Sequence, residues 1–150
     1  MNPPLRTTQD VDAIKKSIKD GTLDVISTDH APHSENEKDA EFDQAPFGII
    51  GLETSLPLSL RLVEEKVLTM TQLVTKMSLI PAEILKINRG HLSEGAVADI
   101  TIFDPNQEWV VEKDNLESKS KNTPFLHWKL KGKTTDLLVD GRHVLKNGEL

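Results

Sequence analysis

Asp24-Val25-Ile26-Ser27-Thr28-Asp29-His30-Ala31-Pro32-His33 is the stretch on which the reading of this chain turns. A short apolar, β-branched run from Leu23 to Ser27 stops abruptly at a polar cluster. Runs of this kind suit a buried strand, so the cluster is expected at the carboxyl end of one. Asp29, His30 and His33 fall within five residues, and a carboxylate beside imidazoles is a donor set for a hard or borderline divalent metal. Spacing alone is weak evidence, because an Asp-His pair after a strand equally reads as a turn followed by a helix cap.

Upstream, Val11, Ile14 and Ile18 recur at helical spacing, with Thr7 and Asp10 placed as a capping box and Gly21 as a stop. The opening Met1-Asn2-Pro3-Pro4-Leu5-Arg6 is expected to be extended, since each residue before a proline is pushed toward β or polyproline conformation. It has the character of the middle of a protein.

Downstream, Ser34 to Gln44 is acidic and aperiodic, which predicts a solvated loop closed by Ala45-Pro46-Phe47-Gly48. Glu35, Glu37, Asp39, Glu41 and Asp43 lack the glycine and terminal glutamate of a calcium loop, so a solvated face is the better account. Leu52, Leu56, Leu60 and Val63 mark a second helix that Pro57 is expected to kink or confine to its early turns. Leu68 to Met77 continues the helical pattern, and Pro81 restarts it, ending at Asn88-Arg89-Gly90.

Beyond Gly90 the period changes to alternation. Val97 to Phe103 and Trp109 to Val111 read as strands separated by a break at Asp104-Pro105. Asp140-Gly141, between Leu137-Leu138-Val139 and Arg142-His143-Val144-Leu145, is a two-residue type I′ hairpin turn. His91, His127 and His143 lie in or near this β half, as surface or packing residues. Two parts follow, residues 1–87 with one strand and several helices, and residues 88–150 with mainly strands. One strand cannot make a sheet, so the first part is expected to be incomplete by itself.

Composition narrows the chemistry. The 150 residues carry a net charge of -6, with 37% hydrophobic and 28% charged residues. That balance disfavours nucleic acid and anionic membrane surfaces, which call for clustered Lys and Arg. No cysteine is present, so any metal must use His, Asp or Glu. No apolar run approaches the ~20 residues of a membrane span, and a cytoplasmic address is the default expectation.

Asn2-Pro3-Pro4-Leu5-Arg6, the run leading into Thr28-Asp29-His30-Ala31-Pro32-His33, and Phe47-Gly48 before Gly51-Leu52-Glu53-Thr54 together resemble the bacterial class I dihydroorotases. Ser78-Leu79-Ile80-Pro81-Ala82, Gly95-Ala96-Val97-Ala98-Asp99-Ile100 and Phe103-Asp104-Pro105 are similar to the tail of that family, so the resemblance covers essentially the whole chain. It implies an α/β fold: the last strand and helices of a TIM-type (β/α)8 barrel of the metal-dependent hydrolase kind, followed by the carboxy-terminal part of a small β-sandwich domain. The implied reaction is the reversible interconversion of dihydroorotate and N-carbamoyl-L-aspartate in pyrimidine biosynthesis.

The resemblance also implies roles. Asp29 matches a strand-end aspartate that binds a metal and serves as catalytic acid/base. Asn2 and His33 match substrate contacts, Phe47 with Gly48 a backbone contact to the substrate ring, and His30 carries no assigned role. Without the match, Asn2 before two prolines reads as a turn former. A two-zinc centre is implied, because a metal lowers the pKa of bound water from about 15.7 to about 7 and so supplies a nucleophile. The family's other ligands, a His-x-His pair, a bridging acid and two further histidines, are missing, since no His precedes His30. Allantoinase and dihydropyrimidinase remain alternatives, as does a non-catalytic dihydroorotase-like subunit that scaffolds a carbamoyltransferase. A homodimer or association with a carbamoyltransferase is the partner expectation beside the small substrate.

One ligand cannot hold a two-metal centre, so the isolated chain is expected to bind metal poorly and show no measurable activity. Zinc titration and a dihydroorotate hydrolysis assay on the isolated chain check this, and stoichiometric zinc with turnover would refute it.

Overall fold

The computed structural model describes residues 2–150, so Met1 lies outside it. Thr7 and Asp10 act as their spacing predicts: the Thr7 hydroxyl accepts the Asp10 N–H, and the Asp10 carboxylate accepts the Thr7 N–H at 2.9 Å. They open helix α1, Thr8–Asp20, which Gly21 stops in the left-handed conformation at φ 88°. The reciprocal cap satisfies donors that a helix start otherwise leaves unpaired.

Leu23 to Ser27 does not form the expected buried strand. Among the described residues no strand pairs with it, and Leu23 is 37% exposed. A strand exists only through a neighbour that takes its N–H and C=O groups. Here helical residue Lys76 partly fills that place: its carbonyl accepts the Ile26 N–H at 3.2 Å, and its ammonium donates to the Leu23 carbonyl at 2.5 Å. Pairing begins at His30, in a single parallel bridge to Ile49.

The acidic loop carries one element that its composition hides. Ser34 and Glu37 form a second capping box and open the short helix α2, Glu35–Lys38. Helix α3, Leu52–Glu64, continues past Pro57, so the proline does not confine the helix to its early turns. Pro57 is buried at the face turned toward the sheet, so packing offsets its missing N–H.

Helix α4, Met70–Val74, continues through a π-helical turn, Thr75–Leu79, into helix α5, Ile80–Leu85. The expected restart at Pro81 is therefore a change of winding inside one helix. In an α-helix, Pro81 would crowd the Met77 carbonyl. The wider turn, in which the Ile80 N–H reaches the Thr75 carbonyl, relieves that conflict.

Strands β1, Ile100–Val110, β2, Lys129–Val139, and β3, Arg142–Leu145, form one antiparallel sheet in the order β1-β2-β3. Asp104-Pro105 does not break β1, because the extra residues between Asp104 and Glu108 are taken up as an irregularity against Lys133 and Lys131. Leu130 and Gly132 turn inward between the exposed Lys129, Lys131 and Lys133, which extends β2 well before Leu137. The hairpin forms as expected, with Asp140 at φ 49° and Gly141 at φ 75°. Among the described residues the sheet is single, and α3 rather than a second sheet lies against it; neither a closed barrel nor a sandwich is formed.

Two cores hold these elements together. One joins Ile50 to Val111, Leu116 and Leu130; the other joins Leu60, Leu68 and Leu73, with Ile26 and Phe103 packed against them. Both draw on residues either side of Ile87. The closest approach is at Gly132, where a Cβ would lie 2.2 Å from Leu60 Cδ1 and where φ is 101°. The Gly132 carbonyl also accepts the Trp109 indole N–H at 3.1 Å.

Gly132→Ala should therefore destabilise the chain by about 1–3 kcal/mol through overpacking and an unfavourable φ. Urea denaturation checks this. A second expectation concerns Asp99, which accepts the Asp140 N–H at 2.7 Å and pairs with Arg89. The turn N–H first, and the guanidinium second, hold its carboxyl below the usual carboxylate range. With the folded pKa depressed, its stabilisation is complete above the unfolded value of about 3.9 and is lost as pH falls through the lower folded value. Thermal melts between pH 5 and pH 2 should fall more steeply for the parent than for Asp99→Asn.

Candidate active site

Asp29 takes φ 45°, a left-handed conformation that Asp adopts more readily than most residues. Its carboxylate is exposed and, among the described residues, accepts no hydrogen bond. The turn it makes delivers His30 and Ala31 to a second segment, residues 46–51. There the Ala31 N–H donates to the Ile49 carbonyl at 2.9 Å. His30 belongs to this frame: its Nδ1 accepts the Gly51 N–H at 3.0 Å, tying the ring to the residue that precedes α3.

Glycine is required where the two segments touch. Gly48 has φ 111°, and a Cβ there would fall 2.4 Å from the Ala31 Cβ. Gly51 approaches almost as closely, since its Cβ would lie 3.1 Å from the Thr28 Cβ. His33 then bridges the segments through Nε2, which lies 2.9 Å from the Phe47 carbonyl. A carbonyl only accepts, so Nε2 carries the hydrogen and Nδ1 is the ring nitrogen left for another partner. The Lys38 ammonium donates to the Pro46 carbonyl at 2.8 Å and the Gly48 carbonyl at 3.3 Å, fixing the same backbone from α2.

Charge anchors α2 beside this wall. The Ser34 backbone N–H and then its hydroxyl hold Glu37 below the usual carboxylate range, with the nearby His33 adding to the effect. The Lys113 ammonium, 2.7 Å from Glu35, holds that carboxyl down in the same direction.

The structure thus joins His33 to Phe47 and seats Ala31 against Gly48, with Asp29 two residues before that contact. It does not join Asn2 to them: Asn2 is exposed and, among the described residues, makes no hydrogen bond. Asn122 escaped the sequence reading. Its Oδ1 accepts the His33 N–H at 3.2 Å, and its Nδ2 donates to the Ala31 and Gly48 carbonyls at 2.9 and 3.3 Å. Lys121-Asn122-Thr123-Pro124 gives only a turn signal, and no local pattern points 89 residues back to His33. Among the described residues, no three His, Asp or Glu side chains gather closely enough to hold a metal. Asp29 offers one carboxylate, while His30 and His33 each have a ring nitrogen already engaged, so these residues alone do not fit a complete metal centre.

The left-handed Asp29 thus stands two residues before the glycine-dependent contact of Ala31 with Gly48. The chain belongs to the amidohydrolase family, whose model matches residues 3–144. It is 60% identical over 146 residues to the dihydroorotase of Geobacter metallireducens and 61% identical over 146 residues to that of Geotalea daltonii, covering 97% of this chain and 34% of each relative. The chain therefore spans about a third of the length of the curated relatives it matches. In fold it is similar to the dihydropyrimidinase of Brevibacillus agri, with a TM-score of 0.93 at 23% identity over 99% of this chain and 34% of that one. An L-hydantoinase from Arthrobacter aurescens gives 0.90 at 28% identity, with the same coverage.

Gly48→Ala should cost about 1–3 kcal/mol, and adding Ala31→Gly should restore the part due to the Cβ clash but not the part due to φ. A double-mutant cycle in urea separates the two.

Proposed function

We propose that this chain supplies the acid/base carboxylate and part of the substrate wall of a dihydroorotase. The observation that carries the reading is identity near 60% to dihydroorotases over almost the whole chain, including the segments that meet at Ala31 and Gly48. Hydrolysis of dihydroorotate joins a water oxygen to a ring carbonyl carbon, breaks that carbon's bond to the ring nitrogen, and moves a proton to the nitrogen. Asp29, exposed and without a hydrogen-bond partner among the described residues, is suited to accept the proton of the attacking water and return it to the leaving nitrogen. In the reverse direction it removes the proton from the carbamoyl nitrogen as the ring closes. His33, whose Nε2 is held by Phe47, turns Nδ1 to the substrate, and the backbone at Phe47-Gly48 approaches the ring because Gly48 has no side chain.

Under this reading Asn2 contacts the substrate, and zinc takes Asp29 as one ligand with the remainder supplied from outside residues 2–150. Residues 1–87 belong to the end of a (β/α)8 barrel and residues 88–150 to a small β-domain, of sandwich type once further strands join the three present. The protein acts in the cytoplasm on dihydroorotate and carbamoyl-aspartate, as a homodimer or beside a carbamoyltransferase. Among the described residues no helix is long and apolar enough to cross a membrane.

The test is turnover by the protein expressed at full length from its own gene, with a panel of dihydroorotate, hydantoin, dihydrouracil and allantoin. Dihydroorotate should be preferred, and Asp29→Asn should lower kcat by about 10²–10⁴-fold at little cost in stability. Preference for hydantoin or allantoin would overturn the assignment, and absence of any turnover would favour a scaffolding role.

A further inference from the structure

We infer that Asn122 is a positioning residue for the substrate wall, coupling the loop before β2 to His33 and Gly48. The inference rests on the proposed function for the word substrate, but its geometry stands independently. Asn122 lies 89 residues from His33 and 74 from Gly48, yet its side chain meets both segments at the point where they touch. The amide is fully used on the protein side: Oδ1 accepts one N–H, and Nδ2 donates to two carbonyls. The reversed amide would set NH₂ against the His33 N–H and oxygen against two carbonyls, so the network fixes its orientation. Its backbone carbonyl adds a fourth tie, accepting the Ile50 N–H at 3.1 Å.

These bonds decide what the wall can recognise. Among the described residues, 28–33 have one bridge to residue 49 and no strand ladder, and two hydrogen bonds hold His33. One runs from its backbone to Asn122 and the other from its ring to Phe47. Losing the Asn122 amide leaves His33 with the ring bond to Phe47, frees the Ala31 carbonyl and leaves the Gly48 carbonyl to Lys38 alone. Ligand binding at His33 and Phe47-Gly48 weakens, while the Asp29 carboxylate, which Asn122 does not touch, keeps its chemistry. Aspartate at 122 is nearly isosteric but cannot donate to either carbonyl, so it separates hydrogen bonding from shape.

Two measurements test this on Asn122→Ala and Asn122→Asp, with Gly132→Ala as a control for general loosening of the β2 region. In the full 150-residue chain, amide hydrogen exchange at Ala31 and His33 should rise by about tenfold or more in Asn122→Ala, less at His33 in Asn122→Asp, whose carboxylate still accepts that N–H, and much less in the control. Unchanged exchange at those amides overturns the inference. In the protein expressed at full length from its own gene, KM for dihydroorotate should rise about tenfold with kcat within about twofold of the parent. Unchanged KM, or a fall in kcat alone that Gly132→Ala reproduces, shows a merely structural role and also overturns it. If the parent does not turn over dihydroorotate, the functional reading fails, and exchange at Ala31 and His33 alone decides whether Asn122 positions the wall.

Discussion

The contact between Ala31 and Gly48 is the constraint around which the site is arranged. Residues 28–33 have no sheet to lie in, so their order comes from what presses against them at one side. That neighbour is a backbone, and it comes close enough only because position 48 has no Cβ and a left-handed φ. Around the contact sit the Ile49 carbonyl, the His30 ring on the Gly51 N–H, the His33 ring on the Phe47 carbonyl, and the Asn122 amide across both segments. Each is a modest interaction when considered singly, on the order of 1 kcal/mol. Together they leave the segment little freedom other than at the exposed carboxylate of Asp29.

The same logic of close backbone approach operates on the other side of α3. Gly132 lets β2 lie against Leu60 and Pro57, and the Trp109 indole holds that strand from β1. Helix α3 therefore stands between the wall and the sheet, with Ile50 at its start packed among Val111, Leu116 and Leu130. This explains how a residue in the 116–128 loop reaches His33. The loop is anchored in a core that begins immediately after the wall, and the Ile50 N–H bonds directly to Asn122.

The histidines show how a fold distributes one residue type among different tasks. His30 commits Nδ1 to a backbone N–H and so acts as a brace, whereas His33 commits Nε2 to a carbonyl and keeps Nδ1 available. Two imidazoles three residues apart thus have opposite nitrogens occupied. A metal held by both rings would have to break one of these bonds, because a neutral imidazole that ligates through Nε2 carries its hydrogen on Nδ1 and cannot accept the Gly51 N–H there.

Local patterns settled much of this protein from the sequence alone: the Thr7–Asp10 box and Gly21 stop of α1, the period of α3 and the Asp140-Gly141 turn, whereas the choice of Asp29, His33, Phe47 and Gly48 came from the family resemblance and not from spacing. Caps, helical periods and two-residue turns are decided by neighbours within a few positions, so the sequence displays them. The tertiary structure decided the rest. Among the described residues it left Leu23 to Ser27 without the partner a strand requires, continued α3 past Pro57, which is buried against β2, and wound a π turn ahead of Pro81. It also continued β1 past Pro105 and brought Asn122 to His33. Those outcomes depend on contacts between residues tens of positions apart, where the energy of packing and hydrogen bonding outweighs local preference and leaves no periodic trace in the chain.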